Sequence, residues 1–307
     1  MAPTIDIIRH GQAAHNVYGS HVRDAVLTDS GVAECDILRE TFPFGSMVTN
    51  IVSSPLRRAI DTAILGVLPT VNDHIKIKLL PDLQEISPAP SSTGISKSAL
   101  FSRYNDGHNV DMDDLNEYWY RKGFDTPYAP EVYKVEARAR SARQYLRMLA
   151  RKAIEAGKDD AHIVVVTHGE FAHWLTRDFR GVSGTRSSGW FNTEWRSYRI
   201  DSIFRSEHTD PWLTETTESV IARNGSLIPW SMSVLTKYSP RNFATMRVIE
   251  YSEMVHIEER RLSTYQTTEA PERSGDEYDE SDESDESDEP DISNESDGWV
   301  DVDQELD

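Results

Sequence analysis

Cysteine is almost missing from this 307-residue chain, where Cys35 is the only one. A lone thiol closes no intrachain disulfide and supplies no cysteine cluster for zinc, and it suits a reducing compartment. Long apolar runs are missing too, and none approaches the length that spans a bilayer. Met1-Ala2-Pro3-Thr4 carries neither the basic region nor the apolar stretch of an export signal. A cytoplasmic location is therefore expected, with the nucleus as the alternative. Ten histidines are scattered without metal-ligand spacing, so no metal and no other cofactor is expected. Positive charge is also scarce: 32 Lys and Arg face 52 Asp and Glu, a net of −20.

That deficit sits at one end. From Ser274 onward there are seventeen acids and no Lys or Arg, while the preceding residues carry thirty-five acids against thirty-two bases. The acidic stretch repeats Ser281-Asp282-Glu283 at Ser284 and again at Ser287. Self-repulsion and few aliphatics predict disorder for 274–307. Serines set in acid suit an acidophilic kinase, and the tail as a whole suits a basic protein partner. A plain solubilising role competes with both. Five arginines of the helical stretch 132–156, at 138, 140, 143, 147 and 151, alternate with alanines. They read as a solvated helix face, so neither nucleic acid nor a membrane is expected as a partner.

Against these absences stand four strand-to-turn junctions. Ile5-Asp6-Ile7-Ile8 reads as a buried parallel strand and delivers Arg9-His10-Gly11 at its carboxyl end, where open α/β sheets bind ligands. Val48 to Ser53 leads into Ser54-Pro55, a hydroxyl cap with Pro, and then a helix with Arg57 and Arg58 in its first turn. Free N–H groups and the helix dipole favour an anion there. Ile77 to Leu80 leads into Leu83-Gln84-Glu85. His162 to Thr167 ends on His168-Gly169. One crevice at the sheet's edge can collect His10, Arg58, Glu85 and His168.

These motifs, in this order, resemble the histidine phosphatase superfamily. Arg9-His10-Gly11-Gln12 with Asn16 following is similar to its branch 1, which holds phosphatases and mutases. Ser53 to Ala63 resembles the family's Ser-x-Leu-x-Arg-Ala-x-x-Thr helix. Leu83-Gln84-Glu85 resembles its acidic turn, and Thr167-His168-Gly169 its second histidine. Gly189-Trp190-Phe191-Asn192-Thr193-Glu194 is similar to a signature of fungal members.

The resemblance implies a phosphoglycerate mutase-like three-layer α/β/α fold, with a doubly wound, mostly parallel sheet over residues 1–205. An insertion at 89–130 would lie over the site, 206–273 would form an extension of unassigned packing, and 274–307 the tail. It also implies metal-independent hydrolysis of a small phosphomonoester. His10 would attack phosphorus, Arg9, Arg58 and His168 would stabilise the phosphoryl oxygens, and Glu85 would act as general acid and base. Gln12, Asn16 and Gly169 would bind the substrate. A phosphoglycerate mutase-like transferase shares the first step, and a non-catalytic interaction protein is the alternative from another class. Aromatics of the insertion, Phe101, Tyr104, Trp119, Tyr120 and Tyr128, read equally as a cover for an organic leaving group or as the insertion's own core. His15 and His21 follow the nucleophile in sequence and are expected near the pocket.

Overall fold

Alternation of short apolar strands with longer amphipathic segments builds a seven-stranded sheet in the order β4-β3-β2-β5-β1-β6-β7. The computed structural model describes residues 2–224 apart from 106–108, 181, 183–187, 202 and 207. Five strands run parallel: β1 (Thr4–Arg9), β2 (Val48–Ser53), β3 (Ile77–Leu79), β4 (Val110–Asp111) and β5 (His162–Thr167). Two add antiparallel at one edge, β6 (Trp195–Ile200) and β7 (Leu213–Glu215). The chain passes from β1 over to β2 and β3, and β5 later fills the gap between β1 and β2. That return makes the carboxyl ends of β1, β5 and β2 neighbours.

Both faces are covered, which is why β1 and β5 are buried along their length and rich in branched aliphatics, with Asp6 of β1 buried on His162 and Ser197. On one face Ile5, Ile7, Ile163 and Val165 pack with α5 (Val132–Glu155) and α6 (Gly169–Thr176). On the other, Ile8, Val164 and Val166 meet α2 (Asp29–Thr41) and α3 (Arg57–Thr62), whose last turn widens into a π turn over Ala63–Val67. A five-residue helix, α1 (Ala14–Tyr18), follows β1 directly. The three-layer arrangement expected from the sequence is thus observed.

Several local expectations need correction. Ser54 does not cap α3 itself: its hydroxyl accepts from Leu56 N–H, and Leu56 precedes the first helical residue. In α2 the cap is Thr28, whose hydroxyl accepts from Gly31 N–H. Cys35 is buried, whereas Val32 and Ile37 of the same helix are exposed. The arginines of α5 are not a solvated face. Arg138, Arg143 and Arg147 are buried, because their long stems bring the guanidinium to carbonyls and to Asp210 of the neighbouring segments.

The 89–130 insertion does more than cover. It contributes α4 (Lys97–Tyr104) and the edge strand β4. Tyr104 is buried and donates to Asp61 at 2.7 Å, and Trp119 is fully buried against Gly94. These two aromatics pack into the main core beside β2, β3 and α3 rather than over the site. Downstream, β7 ends at Glu215 and Thr217–Asn224 forms α7. The remainder of the 206–273 extension and the acidic tail lie outside the described residues. No described helix is long and apolar enough to cross a membrane.

Candidate active site

Register decides what meets at the sheet's edge. Arg9 of β1 pairs with Thr167 of β5, and Ser53 of β2 pairs with Val166. His10, His168 and Ser54 stand one residue beyond these ends. The ladder continues that far, since His10 N–H donates to Thr167 O at 3.0 Å and Ser54 N–H to Val166 O at 2.9 Å. Three side chains from distant parts of the chain are thereby fixed side by side on a rigid edge.

His10 is buried, and its Nδ1 lies 2.7 Å from the carbonyl of Gly11. A carbonyl only accepts, so Nδ1 carries the proton and Nε2 keeps its lone pair. Arg58 Nε donates to that lone pair at 3.1 Å. Burial, then the guanidinium of Arg58 and that of Arg9, holds the imidazole's pKa well below its ordinary value. The ring is neutral at physiological pH, with one nitrogen tethered and the other available. Such an imidazole is a nucleophile in waiting.

The second imidazole lies tilted against the first, with ring centroids 5.1 Å apart. His168 Nε2 is 2.7 Å from the hydroxyl of Ser54. That hydroxyl accepts from Leu56 N–H and has its own hydrogen to give to Nε2, the arrangement in which Nδ1 carries the ring's proton. Burial, followed by Arg58 and His10, keeps this ring neutral too.

Of the two arginines in the first turn of α3, Arg58 faces the histidines and is fully buried. Its Nη1 donates to Ser91 O at 2.7 Å, and burial lowers its pKa to about 10. Arg57 turns the other way and pairs with the buried carboxylate of Asp24 at 3.0 Å. Arg9 Nη1 donates to Trp190 O at 2.5 Å, and Arg9 N–H to Glu194 O, so the Gly189–Glu194 stretch wraps this arginine.

Glu85 is held by the start of α6, its carboxylate accepting from Phe171 N–H at 3.1 Å and from Glu170 N–H at 3.4 Å. Two basic side chains, the buried Arg138 and the half-buried Lys122, fix its loop from behind. Arg138 donates to Gln84 O at 2.5 Å and Asp82 O at 2.8 Å, and Lys122 donates to Glu85 O and Ser87 O. Burial and Arg138 push the Lys122 ammonium well below its usual pKa.

Arg9, His10 and Glu85 open onto a pocket of about 190 Å³ that His15, Asn16 and Gly169 also line, with Glu170 and five serines completing the wall; Arg58 and His168 touch His10 without lining it. Gln12 is not brought there: its amide oxygen accepts from the Thr28 hydroxyl at 2.8 Å. His21 does not line it either. Gly169 is required where it stands, because a Cβ would lie 2.6 Å from Ser188 Oγ and 3.2 Å from Arg9 Nε. None of the aromatics of the 89–130 insertion lines this pocket.

Sequence reasoning passed over Ser54 as a cap and Arg138 as a surface charge. A signal for Arg138 existed: it falls three residues after Val135 and four before Ala142, within the buried stripe of α5. Lys122, in an irregular segment, left no such trace. Among the described residues no group of three or more His, Cys, Asp or Glu is arranged to hold a metal ion.

The sequence matches the profile of the histidine phosphatase superfamily, branch 1, over residues 5–223. No curated protein matches the chain. Among solved structures it is similar to an ecdysone phosphate phosphatase from Bombix mori in complex with tungstate, at 17% identity and a TM-score of 0.49, covering 76% of this chain and 99% of that one. A mycobacterial glucosyl-3-phosphoglycerate phosphatase with inorganic phosphate is 18% identical, with 70% and 95% covered and a TM-score of 0.43. A phosphoserine phosphatase from Entamoeba histolytica, in complex with 3-phosphoglyceric acid, is 18% identical, with 71% and 99% covered and a TM-score of 0.39.

Proposed function

The chain belongs to the histidine phosphatase superfamily, branch 1, and within it we propose a metal-independent phosphatase that hydrolyses a small phosphomonoester through a phosphohistidine on His10. The observation that carries this reading is the tethered, neutral imidazole of His10, with Nδ1 on the Gly11 carbonyl and Nε2 facing Arg58 in the pocket.

In the first step His10 Nε2 attacks phosphorus, and the bond to the ester oxygen breaks. Arg58 gives up its hydrogen bond to Nε2 and turns its N–H groups to phosphoryl oxygens, joined by Arg9 and by His168 Nδ1. Fixed donors aimed at developing charge are the largest contribution in phosphoryl transfer. Glu85 delivers a proton to the departing oxygen. In the second step it takes a proton from water, whose oxygen attacks the phosphohistidine, releasing inorganic phosphate and restoring His10. Asn16 and Gly169 line the substrate's approach.

The hydroxyl-rich wall of Ser20, Ser87, Ser91, Ser92 and Ser188 supports a polar leaving group rather than an aromatic one. The test is a phosphate-release screen over a phosphomonoester panel, run with EDTA, beside His10→Ala. Release that survives EDTA and disappears in the variant is expected. Release by His10→Ala would overturn the nucleophile assignment, and restoration of an EDTA-sensitive rate by added metal would overturn the metal-free scheme. A phosphohistidine that discharges only to a second hydroxyl would make the enzyme a mutase.

A further inference from the structure

His15 is the third imidazole of the pocket, and its tautomer follows from its neighbours. The Asn16 side chain accepts from Ala13 N–H through Oδ1 at 3.0 Å, which fixes which end of the amide is oxygen. The other end, Nδ2, lies 3.3 Å from His15 Nε2. An amide nitrogen only donates, so Nε2 of His15 accepts and the ring's proton is on Nδ1. That Nδ1 is buried and has no hydrogen-bond partner among the described residues. A buried, unanswered N–H is costly unless a ligand supplies the acceptor.

The location identifies the acceptor. The His15 ring centroid is 5.6 Å from that of His10, and the residue lines the same pocket. Two buried nitrogens of groups that touch the His10 ring, Arg58 Nη2 and His168 Nδ1, also lack a partner among the described residues. We infer, resting on the phosphohistidine reading above, that His15 Nδ1–H donates to an oxygen of the phosphoryl group held at His10, alongside Arg58 and His168. His15 is then a substrate-contacting residue, and α1 serves to present it one turn beyond the nucleophile. It acts as a neutral donor: burial, then Arg58 and Arg9, lowers its pKa to about 3. A neutral N–H adds a hydrogen bond without adding charge beside the two arginines.

The experiment compares the full chain with His15→Asn, His15→Gln and His15→Phe. Inorganic phosphate binding is measured by calorimetry, and phosphate release from p-nitrophenyl phosphate in parallel. An Asn amide reaches the position of Nδ1, whereas a Gln amide reaches that of Nε2. His15→Asn should bind phosphate within about threefold of wild type, and the Gln and Phe variants about tenfold more weakly, the size of one hydrogen bond to a charged group. KM should rise in the same order. Equal affinity in all four proteins, an Asn variant as weak as the other two, or no phosphate binding by wild type would overturn the inference. Should His15→Phe fail to fold, the Asn and Gln pair decides alone. The affinity pattern without any phosphate release from wild type would overturn the hydrolase reading and leave the donor assignment standing.

Discussion

Arg58 Nε donates to His10 Nε2 across 3.1 Å in a site from which both residues are screened from solvent. A guanidinium cannot share its proton, so the bond holds the imidazole's lone pair in place without quenching it. Arg58→Lys keeps the charge but loses the planar fork that stays on Ser91 O while serving first Nε2 and then a phosphoryl oxygen. We expect kcat to fall on the order of 10²–10³-fold, as when one fixed donor to a transition state is removed. Steady-state kinetics beside a thermal melt separate this loss from unfolding. A lysine variant with near-wild-type kcat would show that the fork is dispensable.

Ser54→Ala removes the hydroxyl that holds His168 Nε2. The ring then has no neighbour to choose its tautomer, and its Nδ1–H is no longer assured. An approximately tenfold drop in kcat is expected, with about 1 kcal/mol lost in stability for one buried hydrogen bond. Unchanged turnover with the same stability loss would mean that Ser54 matters to the fold alone.

Gly169→Ala should drive the new methyl into Ser188 and toward Arg9, given the 2.6 Å and 3.2 Å approaches. Activity is expected to fall at least tenfold. Adding Ser188→Gly removes the nearer obstruction, so the double variant should regain much of the rate. No recovery would assign the damage to Arg9 instead.

Arg138→Met leaves the carbonyls of Asp82 and Gln84 without their buried donor. Each lost partner costs about 1–3 kcal/mol, and the loop bearing Glu85 loses its anchor. Denaturant unfolding should show a clear loss of stability, and kcat should fall with it. A destabilised variant with full kcat would mean that Lys122 alone suffices to hold Glu85.

Acid should unfold this domain through its histidines. His10, His15, His168 and His173 all have pKa values held below 6.5 by burial, with His15 at about 3 and His173 at about 4. In the unfolded chain they take up protons below about pH 6.5, while in the folded state they stay neutral. The stability they contribute is therefore full above pH 6.5 and is lost as pH falls toward the folded values, at up to about 1.4 kcal/mol per pH unit for each ring. Melting temperatures between pH 7 and pH 4.5 check this, and a flat profile would contradict it.

The sequence by itself determined which residues belong together. Apolar runs ending in Arg9-His10-Gly11 and His168-Gly169 could only be buried strands that deliver polar groups at their ends. The covered, mostly parallel sheet followed from that pattern. It also pointed to Arg58 as the arginine that joins His10 and His168. Tertiary structure decided the rest, because each remaining answer depends on what lies across a gap in space. Ser54 meets His168 only since β5 returns beside β2. Arg138 and Arg143 of α5 are buried only because Asp82, Gln84 and Asp210 come to meet them, and no helical pattern announces a distant carbonyl. Gln12 turned away because Thr28 offered its hydroxyl. The aromatic cover became a core because Trp119 found Gly94 and Tyr104 found Asp61. Local pattern specifies which chemistry the chain carries, and packing specifies which partner each polar atom receives.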